Sequence, residues 1–289
     1  MIVFIHLSIF MKSLRNRFVS LSAVLCVVVL LSACVAKSGH DLRFRESAGL
    51  NVPSFNISGT EDGSFSFIFV GDMHLTGSNT YRLDTVLQAA QDHGDSFIVF
   101  LGDLIEKGAR SDFETFKATV SAHGFSEKVI YVLGNHDIFE DGWSSFRELL
   151  GPSHYAISIG NCKFIILDSA DGIVGEKQKD WMEDQLKQSN SSQHTFVLSH
   201  YMPVVPGQRT YLKLANESEA VDLMKMMSRF GVEAWLGGHY HSYVKQRIDN
   251  VNYIVAGGGG GRRMEPVRDL FFVRATVQSD TINYELNRF

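Results

Sequence analysis

Cysteine is almost missing from this chain. Of 289 residues three are cysteine. Cys26 and Cys34 belong to an apolar N-terminal segment, so the body keeps Cys162 alone. A disulfide framework and a thiolate metal site are thereby excluded from the body. Within Cys162-Lys163-Phe164-Ile165-Ile166 the lone thiol reads as a small apolar core residue. No charge run, low-complexity tract or internal repeat interrupts the body, which excludes a solenoid and a disordered chain. An excess of positive charge is lacking too: 27 Lys+Arg stand against 32 Asp+Glu, a formal charge of −5. Nucleic acid as a bulk partner therefore finds no electrostatic encouragement, although local positive charge can still serve one phosphate. At this length one large catalytic domain is the simplest organisation.

No apolar run reaches the roughly 20 residues of a comfortable membrane span. The longest, Phe18 to Leu30, follows Lys12, Arg15 and Arg17 and has the length of a signal-peptide core. Leu31-Ser32-Ala33-Cys34 resembles the lipobox of bacterial lipoproteins. That resemblance implies cleavage before Cys34, lipidation of its sulfur, and an exported protein held in the bacterial cell envelope, facing the periplasm or the cell surface. An uncleaved signal anchor is the alternative, but Ser32 and Ala33 are small where a peptidase needs them. Residues 1 to 10 form a second apolar run ahead of the basic residues, so translation is expected to start at Met11. Without residues 1–33 the formal charge falls to −8, from 24 Lys+Arg against 32 Asp+Glu. The expected organisation is a signal peptide over 1–33, a lipid-anchored tether over 34–63, and a catalytic domain over 64–289. Within the tether Phe44, Leu50 and Phe55 are candidates for an irregular packed edge.

What the body has in abundance is one pattern, repeated. Val129 to Leu133 is apolar throughout and stops at Gly134-Asn135-His136-Asp137. Such a run reads as a strand buried on both faces. Phe67 to Val70 runs into Gly71-Asp72-Met73-His74, and Phe97 to Leu101 into Gly102-Asp103. Phe196 to Leu198 runs into Ser199-His200, and Ala234 to Leu236 into Gly237-Gly238-His239-Tyr240-His241. A single His or Asp after a strand is usually a turn or capping residue. Five together point to a shared site at the carboxyl ends of strands, where open α/β sheets place their chemistry.

Between these strands lie helical spacings. Leu83, Val86, Leu87 and Ala90 mark a helix from Thr80 to about Gln91 with Asn79 as its cap. Phe113, Phe116 and Val120 mark a second, Trp143 to Leu150 a third, and Ala220, Leu223, Met224 and Met227 a fourth. Gly160-Asn161 separates Tyr155–Ile159 from Cys162–Leu167 as a tight hairpin turn. Strands are expected over Val244–Ile248, Asn252–Ala256, Leu270–Val277 and Ile282–Leu286. Early βα alternation followed by hairpins predicts an α/β layered sandwich of two mixed β-sheets flanked by helices.

Carboxylate, imidazole and amide oxygen make a donor set for hard or borderline metal ions. Asp72 and His74, and again His239 and His241, are two apart in extended chain, so both members of each pair can face one pocket. Asp103, Asn135 and His200 arrive singly. In this order the motifs resemble those of the calcineurin-like metallophosphoesterase superfamily: Asp-x-His, Gly-Asp, Gly-Asn-His-Asp, His and Gly-His-x-His, spread from about Phe65 to His241.

The resemblance implies one metal on Asp72, His74, Asp103 and His241 and a second on Asp103, Asn135, His200 and His239, with Asp103 bridging. It implies hydrolysis of phosphomonoesters or phosphodiesters by a hydroxide shared between two divalent or trivalent ions. Manganese, iron and zinc all suit the ligands. His136 is expected to face the substrate, bind phosphate oxygen and protonate the departing oxygen. The family often places an Asp at the position of Glu106 to orient that histidine, so Glu106 is expected to take over this task. The purple acid phosphatases carry a Tyr ligand there, and its absence argues against that branch.

Lys107, Arg209, Arg262 and Arg263 are candidates for phosphate contacts, the last two after the glycine run 257–261, and Asn135 is a substrate contact as well as a ligand. A loop with solvated arginines explains Arg262 and Arg263 equally well. Asp137 and Asp168 are expected to hold loops together, and His6, His40, His93, His123, His154 and His194 to be surface or packing residues. The expected partners are a small phosphate ester and the membrane, through Cys34. The alternative function is a metal-stabilised binding lipoprotein without turnover.

Overall fold

The structure, a computed structural model, describes residues 38–53, 57, 64–205, 207–208 and 210–289. The signal peptide, Met11, Cys34, His6, Phe55 and Arg209 lie outside the described residues. No described helix is long and apolar enough to cross a membrane.

Phenylalanines and branched residues at alternating positions build two sheets whose central strands are buried on both faces. In β1 (Phe65–Val70), Phe67 and Phe69 point one way while Ile68 and Val70 point the other, each into an apolar layer. The first sheet adds β2 (Phe97–Phe100), β3 (Val129–Tyr131), β10 (Phe271–Val277) and β11 (Ile282–Arg288) in the order β11-β10-β1-β2-β3. β1, β2 and β3 are parallel, and β10 runs antiparallel to β1.

The second sheet contains β4 (Tyr155–Ile159), β5 (Cys162–Ile166), β6 (His194–Leu198), β7 (Ala234–Gly237), β8 (Tyr243–Ile248) and β9 (Val251–Ala256), ordered β4-β5-β6-β7-β9-β8. Its four central strands are parallel, and its two edges antiparallel. Between the sheets, Phe67 stacks on Phe97 at 4.7 Å and meets Phe164 edge-on at 5.5 Å. Each such ring contributes roughly 1.5–3 kcal/mol by leaving water.

Helices cover the outer faces. α2 (Tyr81–His93), α3 (Arg110–Ala122) and α4 (Gly142–Leu149) lie on the first sheet, and α5 (Glu176–Lys187) and α6 (Glu217–Arg229) on the second. The expected α/β layered sandwich of two mixed sheets flanked by helices is the fold observed. Cys162 is buried and free, with its thiol pushed up to about 12 by burial.

β3 is buried on both faces as expected, although it ends its sheet; the Tyr155 hydroxyl closes that edge by accepting from Tyr131 N–H and donating to Tyr131 C=O, both at 3.1 Å. Three details depart from expectation. α2 begins after Thr80, not Asn79, and has no side-chain cap. The Thr80 hydroxyl donates to Asp84 at 2.7 Å instead. α5 was not foreseen. Neither was α1 (Ser38–Ser47), which lies inside the stretch expected to be a tether. α1 is fastened to the body by Arg43, whose guanidinium donates to Asp168 at 2.7 and 3.1 Å in a buried pair. Helix α1 thus packs on the body.

Candidate metal centre

The carboxyl ends of β1, β2, β3, β6 and β7 meet where the two sheets converge. The seam is closed by backbone: Gly71 N–H donates to Ala256 C=O at 2.7 Å, and Gly259 N–H to Gly71 C=O at 3.0 Å. Past the strand ends the chain turns sharply, and Asp72, His74, Asp103 and His239 take φ of 62°, 46°, 51° and 65°. Left-handed backbone is rare outside glycine and costs on the order of 1–3 kcal/mol per residue. Four strained residues, all predicted ligands, occupy one spot. Close approach demands glycine beside them: a Cβ on Gly134 would overlap the amide nitrogen and Oδ1 of Asp103.

The predicted ligands come together. Asp72, His74, Asp103 and His241 place one ligand atom each within 4.8 Å of one another, and so do Asp103, His200 and His239. Asp103 is common to both groups. Asn135 joins the second, with its Oδ1 3.1 Å from His200 Nε2.

The ring nitrogens that face outward fix the tautomers. His200 Nδ1 meets the Leu101 carbonyl at 2.8 Å, His241 Nδ1 the Arg262 carbonyl at 2.9 Å, and His74 Nδ1 the Glu106 carboxylate at 2.9 Å. These partners only accept, so each Nδ1 carries a hydrogen and each Nε2 is the ring atom that faces the centre. His74 Nε2 and His241 Nε2 stand 3.3 Å apart. His241 Nε2 lies 3.2 Å from Asp72 Oδ1, and His200 Nε2 lies 3.2 Å from Asp103 Oδ2. His239 gives Nε2 to the Tyr211 carbonyl at 3.0 Å, leaving Nδ1 as its inward atom. Imidazole nitrogens and carboxylate oxygens therefore converge in a buried place, a donor set suited to metal cations, and the outer partners orient the rings as they do at metal sites. The residues fit divalent metal ions.

The electrostatics agree. Burial alone would raise the Asp72 and Asp103 carboxyls, but the neighbouring His241 and His200 hold both below the usual range. Burial depresses His74, and with His200 depresses His239 to about 4, so both rings are neutral, as ligands must be. His200 is pushed down by burial and up by Asp103, and the carboxylate prevails at about 9.

His136 stands at the rim, its ring 4.5 Å from that of His74. Its backbone N–H donates to Asp103 Oδ1 at 2.8 Å, and its Nδ1 donates to the Glu106 carbonyl at 2.7 Å. Glu106 stands between the two rings: its carboxylate is 2.9 Å from His74 Nδ1 and 3.9 Å from His136 Nδ1, and its carbonyl fixes His136. Lys107, Arg262 and Arg263 are exposed and make no side-chain hydrogen bond or ion pair among the described residues. Arg262 serves through its carbonyl.

Sequence reasoning missed the carbonyls of Leu101, Tyr211 and Arg262, because a backbone acceptor leaves no trace in residue type. It also missed Tyr201, whose ring stacks on His239 at 3.7 Å. The signal available was its place directly after His200.

The calcineurin-like phosphoesterase family model matches residues 65–243, the span that carries every inward-facing ligand above. The mouse serine/threonine-protein phosphatase CPPED1 is 22% identical over 172 residues, 54% of this chain and 55% of that protein. The chain thus spans about half the length of the curated relative it matches. Among solved structures, a purple acid phosphatase from yellow lupin superposes with a TM-score of 0.67 at 15% identity, over 82% of this chain and 53% of that one. A dimetal phosphatase from Danio rerio gives 0.60 at 18% identity, over 78% and 96%. The same fold serves GAP50, the anchor in the inner membrane complex of Plasmodium, at 0.57 and 14% identity, over 78% and 84%. Fold likeness at such identities speaks for architecture only, but the family model covers more than half of the sequence, and the chain belongs to the calcineurin-like phosphoesterase family.

Proposed function

We propose that this chain is a metal-dependent hydrolase of phosphomonoesters or phosphodiesters. The observation that supports it most is the convergence of Asp72, His74, Asp103, His200 and His241 with their ring nitrogens and carboxylate oxygens turned inward. Two ions are proposed, one on Asp72, His74, Asp103 and His241 and one on Asp103, Asn135, His200 and His239. Bound there, manganese, iron or zinc supplies activation of water and neutralisation of phosphate charge. The protein's own work is positional. Asp103 is held by the His136 N–H, His74 by Glu106, and His200 by the Leu101 carbonyl, so the ligands need no reorganisation when a phosphate arrives. His136, with Nδ1 committed to the Glu106 carbonyl, presents Nε2 to the substrate, to bind phosphate oxygen and give a proton to the departing oxygen.

Export and anchoring through lipidated Cys34 belong to the same reading, on the strength of the basic, apolar and small-residue succession from Lys12 to Cys34. Purified full-length protein loaded with Mn2+ is expected to hydrolyse nitrophenyl phosphate or its bis ester. Loss of neither ester would favour the alternative, a metal-stabilised binding lipoprotein.

A further inference from the structure

Three residues beyond His136 an aromatic ring is left in the open. Phe139 is 45% exposed, and its ring centre lies 4.9 Å from that of His136 at an interplanar angle of 52°. Its neighbour Ile138 packs against the apolar layer under the first sheet, whereas the Phe139 ring stays exposed.

The backbone holds it out deliberately. Glu140 and Asp141, directly after it, have φ of 50° and 66°, two consecutive side-chain-bearing residues in the left-handed region. A Cβ on Gly108 would overlap the Phe139 carbonyl oxygen, and one on Gly142 would overlap the Asp137 carbonyl oxygen and lie 2.6 Å from Gly108 Cα. The loop is clamped between two glycines in a strained form. Such strain persists where surroundings over-determine it and gathers at ligand clamps.

We propose that Phe139 is a specificity-determining residue: its ring is the platform for a planar aromatic group carried on the departing oxygen of the phosphate ester. This rests on the hydrolase reading, in which His136 meets that oxygen. A group attached there lies beside His136, and the exposed Phe139 ring is 4.9 Å from the His136 ring. An offset or edge contact between rings stabilises beyond the area it buries, whereas a short alkyl group gains little from the same surface.

The test uses full-length, Mn2+-loaded wild type, Phe139→Ala and Phe139→Tyr. Inhibition constants are measured for phenylphosphonate and methylphosphonate, alongside kcat/KM for phenyl phosphate and ethyl phosphate. Wild type is expected to favour phenylphosphonate about tenfold, the alanine variant to lose that ratio, and the tyrosine variant to keep it. The phenyl-to-ethyl ratio of kcat/KM should fall in parallel for alanine, chiefly through KM. An unchanged ratio in Phe139→Ala, as expected if the ring merely shields His136, overturns the platform. Wild type that prefers phenylphosphonate yet hydrolyses no ester would instead overturn the hydrolase reading and leave the platform standing.

Discussion

Asp137 Oδ2 accepts the backbone N–H of Gly134 at 2.9 Å, while Oδ1 takes those of Leu104 and Ile105 at 2.9 and 3.2 Å. One buried carboxylate thereby ties the loop after β3 to the loop after β2, and so Asn135 to Asp103. Asp137→Ala leaves three buried donors without partners. A loss of about 3 kcal/mol in urea unfolding is expected, with weakened Mn2+ binding although no ligand has been changed.

Arg43 and Asp168 fasten α1 to the body, and Arg43 also meets Asp171 at 2.9 Å. Breaking a buried pair by removing one partner costs about 3–5 kcal/mol, whereas replacing both with apolar groups is close to neutral. Arg43→Ala is expected to lose stability in that range and to speed amide exchange throughout Ser38–Ser47. Arg43→Met with Asp168→Leu should recover most of the loss. Urea titration and hydrogen exchange decide it.

His154 is buried, stacked on Phe44 at 4.2 Å and edge-on to Trp181 at 4.9 Å, and burial depresses it to about 4 from an ordinary 6.5. Below pH 6.5 the unfolded chain takes up a proton that the folded chain refuses. Stability present above 6.5 is therefore lost as pH falls from 6.5 toward 4, by up to about 3 kcal/mol. His154→Phe should flatten that part of the stability profile relative to wild type and leave the profile above pH 7 parallel.

His136→Ala is expected to keep its metal content and to lose turnover by about 10²–10⁴-fold on alkyl esters, and by less on nitrophenyl esters, whose departing oxygen needs no proton. Equal losses on both would remove the acid role.

Much of the site could be read from the chain because its ligands follow apolar strands directly. Asp72, Asp103, Asn135, His200 and His239 each sit one to three residues past a buried run, and that nearness survives folding. The helices divide by the chemistry of their buried face. α2 and α3 bury Leu83, Val86, Leu87 and Ala90, and Phe113, Phe116 and Val120, which show at helical spacing. α1 buries His40, Arg43 and Ser47, also at helical spacing, but the face is polar and hydrophobic periodicity cannot see it. α5 hides in the same way: one of its three buried residues is Gln178, whose amide donates to the Asp168 and Val174 carbonyls at 2.7 and 3.0 Å. The sequence position of Glu106 does not show that its carboxylate also reaches His74.

The central claim is that these inward nitrogens and oxygens hold metal cations. Calorimetric titration of Mn2+ into chelator-stripped full-length protein, beside Asp103→Ala, tests it most directly. Saturable binding of two equivalents by wild type, with a rise of several degrees in Tm, and at most one equivalent by the variant is the predicted result. Identical heats and identical Tm for the two proteins would contradict it.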